Sequence, residues 1–164
     1  VVIYPNGKAQ HINIINGKRI EYNNENLYIL DNNNIYVYNF LTDIYKILIP
    51  GPINNFLVST TYLIYDNAIN VYKYNKSSNI TSKLTKVNGN VIDMVSDNQT
   101  LFTCNSTYVQ KTNYVNGSSS TSNIIVGLSN ITSMAYDGLL LYLKVHDINN
   151  KDELYKVYTK FNNN

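Results

Sequence analysis

The sequence predicts an all-β chain of about four hairpin repeats, each of roughly 38 residues, and three observations predict it. Leu27, Leu63, Leu101 and Leu141 recur at intervals of 36, 38 and 40 residues, each in a run with the same order of apolar and polar positions. Ile35-Tyr36-Val37-Tyr38 and Ile69-Asn70-Val71-Tyr72-Lys73-Tyr74 alternate with the two-residue period of a strand, and no segment sustains the 3.6-residue period of a helix. Turn dipeptides punctuate the runs: Asn6-Gly7, Asn16-Gly17, Asn88-Gly89, Asn116-Gly117 and Asp137-Gly138. Type I′ hairpins need positive φ at both central residues, which Asn-Gly supplies at little cost.

Taken in order, each repeat reads as a short strand, a polar turn, a strand rich in Leu, Ile and Tyr, an Asn/Asp turn and an alternating strand. The first runs from Ile20 through Leu27-Tyr28-Ile29-Leu30 and Asp31 to Asn34 into Ile35-Tyr36-Val37-Tyr38. The second is carried by Leu57 to Lys73, the third by Met94 to Lys111, and the fourth opens at Met134. β-Branched and aromatic residues dominate these runs, as strands prefer. Approximate repeats are 20–52, 53–90, 91–130 and 131–160, within one repeat domain over 1–164 that reads as an excerpt of a longer chain. Pro50-Gly51-Pro52 separates the first two repeats, and the Ser/Thr-rich stretch Gly117 to Asn123 is expected to be a flexible outer loop.

A repeat of this length with three or four short strands resembles a β-propeller blade. The phrase Ile131-Thr132-Ser133-Met134-Ala135-Tyr136-Asp137-Gly138-Leu139-Leu140-Leu141-Tyr142 is similar to the inner strands of propeller families, where an Asp-Gly turn leads into a Leu-Tyr strand. The chain has no Trp and no Gly-Gly pair, so it carries the marks of neither WD40 nor kelch repeats. The resemblance implies a ring, or part of one, of open blade count. It also implies closure in which residues 1–18, with His11-Ile12-Asn13-Ile14, lie beside Leu154-Tyr155-Lys156-Val157-Tyr158. A β-sandwich is the alternative architecture.

Composition narrows the function classes. A net charge of +2 excludes a nucleic-acid binder that works by charge alone, and charged residues are only 15% against about 25% in an average domain. No apolar run approaches the ~18 residues of a membrane span. The chain holds 29 Asn, 19 Ile, 16 Tyr and 12 Lys against a single Arg, all four with AT-rich codons, so an AT-rich genome accounts for part of the Asn content. Cys104 is the lone cysteine, read as a buried inert thiol. His11 and His146 are too few and too far apart for an unaided closed zinc site, and His146 reads as a surface residue beside Asp147. The acidic stretch Asp147 to Glu153 lacks the Gly and terminal Glu of a calcium loop. Asp31, Asp66, Asp97 and Asp137 read as turn-stabilising residues, and Tyr72-Lys73-Tyr74-Asn75-Lys76 as strand-face packing rather than a single-strand platform.

Six Asn-X-Ser/Thr sequons begin at Asn75, Asn79, Asn98, Asn105, Asn116 and Asn130 and are the candidate N-glycosylation sites. About four would arise by chance, but these all cluster in one part of the chain. With no nucleophile, metal or phosphate motif, the expected function is non-enzymatic, without catalytic residues, metal or cofactor. It is a binding or assembly module of an exposed surface or virion protein, extracellular or on the virion, with a protein or glycan partner and a role as an assembly subunit. The alternative is a cytoplasmic scaffold for protein partners. A propeller-type hydrolase or lyase ranks behind both.

Overall fold

A computed structural model of the chain describes residues 2–3, 9–10, 16–87, 89–97, 99–114, 119–149 and 151–159. The described residues contain strands and turns and no helix. The chain divides into two compact units, Val1–Gly51 and Pro52–Asn164.

The first unit opens with β1 (Val2–Ile3) paired to β2 (Ala9–Gln10). It continues with a four-stranded antiparallel meander of β3 (Gly17–Asn23), β4 (Asn26–Asp31), β5 (Asn34–Asn39) and β6 (Ile44–Ile49). Both first hairpins are two-residue type I′ turns without glycine. Asn24 and Glu25 take φ of 46° and 60°, and Asn32 and Asn33 take 48° and 61°. Asn visits this region more readily than other non-glycine residues because its short amide bonds locally. Tyr28, Ile29, Leu30, Ile35, Val37 and Tyr38 are buried on the two central strands, while β6 is mostly exposed.

The second unit holds three sheets, each connected in chain order. One comprises β7 (Asn55–Val58), β8 (Tyr62–Asp66), β9 (Asn70–Asn75) and β10 (Thr81–Lys86). The next comprises β11 (Asp93–Ser96), β12 (Thr100–Cys104), β13 (Tyr108–Asn113) and β14 (Ser120–Val126). The last comprises β15 (Ile131–Tyr136), β16 (Leu140–His146) and β17 (Asp152–Tyr158). The landmark leucines all fall on second strands: Leu27 on β4, Leu63 on β8, Leu101 on β12 and Leu141 on β16.

Two apolar clusters lie between successive sheets of this unit. Ile64, Val71 and Leu84 of one sheet meet Met94 and Leu101 of the next. Phe102, Cys104 and Val109 then meet Met134, Leu141 and Leu143 of the last. Leu101 and Phe102 are neighbours on β12 yet feed opposite clusters, because successive strand side chains point to opposite faces. The middle sheet is therefore covered on both faces, which a two-layer sandwich does not provide. The first strands β7, β11 and β15 adjoin one another. Meandering sheets that pack face to face with adjoining first strands are β-propeller-type blades.

Three local expectations change. Asn16-Gly17 is not a hairpin: Gly17 opens β3, and Asn16 donates its N–H to Asp31 Oδ1 at 2.7 Å. Gly89 lies in the connection between β10 and β11 rather than at a hairpin tip, while Asn6-Gly7 and Asn116-Gly117 lie outside the described residues. Ser120 to Asn123 is not a loop but the start of β14, paired to β13, with Thr121 Oγ1 3.0 Å from Thr85 Oγ1 and 3.1 Å from Thr112 Oγ1. Hydroxyl bonding to β13 of the same sheet and to β10 of the preceding one supplies what the missing apolar pattern does not. The closing strand expected at His11 to Ile14 lies outside the described residues.

Candidate binding surface

The turns are built by one device used repeatedly. Between first and second strands, Asp97 Oδ1 accepts the N–H of Gln99 (2.7 Å) and Thr100 (2.6 Å), and Asp137 Oδ1 accepts those of Leu139 (2.9 Å) and Leu140 (2.6 Å). Ser59 Oγ takes the same place in the preceding sheet, accepting Tyr62 N–H at 3.0 Å. Between second and third strands the acceptor is Asn67, Asn105 or Asp147, and between third and fourth strands Asn39 or Asn75. An Asx side chain that captures the N–H two or three residues on replaces a backbone turn bond. Many of the Asn residues thus shape the turns.

Aromatic hydroxyls tie strands to the same turns. Tyr38 donates to Asp43 Oδ1 (2.7 Å), Tyr74 to Asn79 Oδ1 (2.5 Å) and Tyr114 to the Asp97 carbonyl (2.5 Å), so a buried ring body ends on a polar tip. Tyr72-Lys73-Tyr74-Asn75-Lys76 offers no exposed platform. Tyr74 is buried, the Lys73 ammonium lies 4.1 Å over the Tyr62 ring, and Lys76 Nζ donates to the Ser59 carbonyl at 2.6 Å. Burial depresses the Lys76 ammonium to about 8.

A polar seam joins the blades of the second unit at the starts of their first strands. Asp93 Oδ1 accepts Met94 N–H, and Oδ2 accepts Met134 N–H of the next sheet, each at 2.8 Å. Asn55 occupies the same place one sheet earlier: its Oδ1 accepts Phe56 N–H at 2.9 Å, and its Nδ2 donates to the Ile92 carbonyl at 3.5 Å. Asn55 opens β7 and meets Ile92, directly before β11, and Ile131, which opens β15, donates its N–H to the Ser106 carbonyl in the β12–β13 turn at 3.2 Å, so the sheets are aligned end to end. The second-to-third turns and the connections between sheets then share one rim, and the first-to-second and third-to-fourth turns share the other.

Asp66 lies beneath the first of these rims and is fully buried. Its Oδ1 accepts Ala68 N–H at 2.9 Å and the Asn54 amide at 3.4 Å, and its Oδ2 has no hydrogen-bond partner among the described residues. Burial raises the carboxyl to about 6 against those stabilising bonds. On the same rim a shallow cleft with about 140 Å³ of empty volume, open to solvent, is lined by Gly89, Asn90, Thr103, Asn105 and Tyr108. Small-molecule pockets usually enclose ~300–1,000 Å³. Cys104 lies at its base, and burial pushes that thiol up to about 12, as an inert cysteine requires.

The structure separates the sequence-derived sites. Asn79 and Asn130 are exposed at φ of 59° on opposite rims. Asn75 and Asn105 are half-buried and accept turn N–H groups, and a Cβ added at Gly89 would lie 3.5 Å from Asn105 Nδ2. Asn98 and Asn116 lie outside the described residues, as does His11. His146 ends β16, and its partner is Asp152 across the ladder (Nδ1 to Oδ1 2.7 Å) rather than its chain neighbour Asp147. Lys144 also reaches Asp152 at 2.7 Å, and this bond first, then the Lys144 charge, holds that carboxyl below its usual range. Asp147 Oδ1 instead accepts Asn149 N–H and Lys151 N–H. Among the described residues no three His, Cys, Asp or Glu side chains gather as a metal site, and no helix is long and apolar enough to cross a membrane.

Sequence reasoning missed the Asn55–Asp93 seam. Its faint signal is a polar residue directly before a buried apolar one in each of the last three repeats: Asn55-Phe56, Asp93-Met94 and Ser133-Met134.

No family model and no curated protein matches this chain in sequence. Solved structures match it in fold. The N-terminal domain of Nup159, a β-propeller, superposes with a TM-score of 0.65 at 10% identity over 89% of this chain and 46% of that one. The extracellular domain of BT4673 from B. thetaiotaomicron superposes at 0.70 and 14% identity, covering 89% of this chain and 21% of that one. An auxiliary nutrient binding protein from Bacteroides thetaiotaomicron gives 0.66 and 13%, covering 87% and 42%. The chain thus spans less than half the length of each of the three. The fold is β-propeller-type, and its structural neighbours include binding and extracellular domains.

Proposed function

We propose that the chain is a non-enzymatic binding and assembly module displayed on an exposed surface, a cell surface or a virion, where its rims engage a protein or glycan partner. The observation that carries this reading is the construction of the rims. Short turns rich in Asn, Asp, Ser and Tyr are locked by their own side chains onto a packed stack of sheets. Rigid scaffolds that present polar turns lose little entropy on binding. The cleft is shallow, which suits a macromolecular surface better than a small substrate. The extracellular and nutrient-binding neighbours support the same reading at the level of fold.

The test is the intact mass of the protein from its native source, before and after deglycosylation, with glycopeptide mapping. Exposed Asn79 and Asn130 are expected to carry glycan ahead of Asn75 and Asn105, which are half-buried. A protein free of glycan at every sequon would overturn the exported form of the reading and leave the cytoplasmic scaffold in its place.

A further inference from the structure

The last sheet differs from its siblings. The other three larger sheets have four strands, whereas β15–β16–β17 has three, and among the described residues of the second unit no strand lies along the outer edge of β17. Third strands β5, β9 and β13 each bury residues, but no residue of β17 is buried. Leu154 and Tyr158 are both 66% exposed. An open edge seven residues long is a template for another strand.

The ladder shows which groups that edge offers. Asp147 N–H donates to the Lys151 carbonyl and Thr159 N–H to the Leu139 carbonyl, so the odd-numbered residues of this strand bond to β16. By alternation, Asp152, Leu154, Lys156 and Tyr158 aim their N–H and C=O groups at the open edge. A twofold axis normal to the sheet permits only registers that place a residue of β17 opposite itself. Centred on Lys156, the register sets two ammonium groups face to face. Centred on Tyr155, it sets Asp152 opposite Tyr158 and Leu154 opposite Lys156. Centred on Leu154, it sets Asp152 opposite Lys156 twice, with the two leucines between, and all three pairs are of the hydrogen-bonded kind. Opposite charges directly across a ladder attract and like charges repel, so the Leu154 register is favoured.

We propose that β17 pairs antiparallel with β17 of a second copy of this chain, on a twofold axis at Leu154, joining two three-stranded sheets into one. Charged residues on an edge ordinarily block pairing. Here they are spaced so that one register turns them into cross-copy ion pairs, a self-complementarity suited to an isologous dimer. Asp152 then bridges Lys144 and His146 of its own sheet to Lys156 of the second copy.

The experiment measures mass in solution by light scattering across the micromolar range for the wild type, Lys156→Glu, Asp152→Lys and an equimolar mixture of the two variants, each checked for native far-UV dichroism. The wild type is expected to dimerise. Each variant alone places like charges opposite one another at both ends of the seam and should weaken the dimer by at least about tenfold. The mixture should recover it as a heterodimer, since Asp152 and Glu at 156 of one variant then face Lys156 and Lys at 152 of the other. Lys156→Glu leaves the Lys144–Asp152–His146 cluster untouched, so its loss of dimer does not reduce to local damage there. A wild type that stays monomeric throughout, as it would with its own chain along the edge, overturns the proposal. So does a dimer indifferent to both charge reversals.

Discussion

Asp66 is a buried carboxyl whose Oδ2 has no hydrogen-bond partner among the described residues, and its environment works against its charge. Its folded pKa of about 6 lies above the ordinary 3.8, so the folded state binds the proton more tightly than the unfolded chain does. Stability from this group is therefore greatest in acid and is lost as pH rises through about 6. Asp66→Asn keeps an oxygen for Ala68 N–H and removes the charge, although its new N–H₂ replaces the unpartnered oxygen. It should raise stability by about 1–2 kcal/mol at neutral pH and flatten the profile between pH 4 and 7. Urea denaturation on either side of pH 6 checks this, and a variant as pH-dependent as the wild type refutes it. Cys104, with its thiol raised to about 12 at the base of a shallow cleft, should resist thiol reagents in the native protein and react once urea unfolds it.

At the scale of strands and turns, the Asx device carries much of the local specification. Ala68 is the turn residue that fits worst: it takes φ of 73°, where Asn79 and Asn130 elsewhere take 59°. A Cβ in that region costs about 1–2 kcal/mol, so Ala68→Gly should stabilise by about 1 kcal/mol, read as a higher denaturation midpoint. Asp93→Ala removes the acceptor for Met134 N–H of the next sheet and should cost about 1–3 kcal/mol, whereas Asp137→Ala, in an exposed turn, should cost less than that. The second strands were legible because their leucines recur at nearly constant spacing, and β4, β8 and β12 bury residues on both faces. The turns were legible only in kind. Asn-Gly pairs were expected at hairpin tips, but Asn24, Asn32 and Asn33 adopt positive φ themselves, so glycine is not needed there. The strand at Ser120 to Asn123 was illegible because hydroxyls rather than an apolar pattern hold it. The Asn55–Asp93 seam and the Asp152 cluster were hidden for another reason: each bond depends on a residue of another strand that no local pattern identifies.

On the scale of the second unit, the middle sheet is the member that both clusters share. Leu101 and Phe102 are fully buried, adjacent in sequence and on opposite sides of that sheet. Leu101→Ala empties space only in the cluster with Ile64, Val71 and Leu84, and Phe102→Ala only in the cluster with Met134, Leu141 and Leu143. The first should cost about 2–5 kcal/mol and the second about 3–5. Opening either cluster uncovers one face of β11–β14, and a sheet exposed on a face built to be buried no longer supports the other cluster. The three sheets should then open as one cooperative unit. Native-state hydrogen exchange separates the possibilities. If opening is shared, Leu101→Ala lowers amide protection in β15 and β16 as much as in β8 and β9, although β15 and β16 contribute nothing to the Leu101 cluster. Protection lost in β8 and β9 alone, with β15 and β16 at wild-type values, would show that the blades open one at a time.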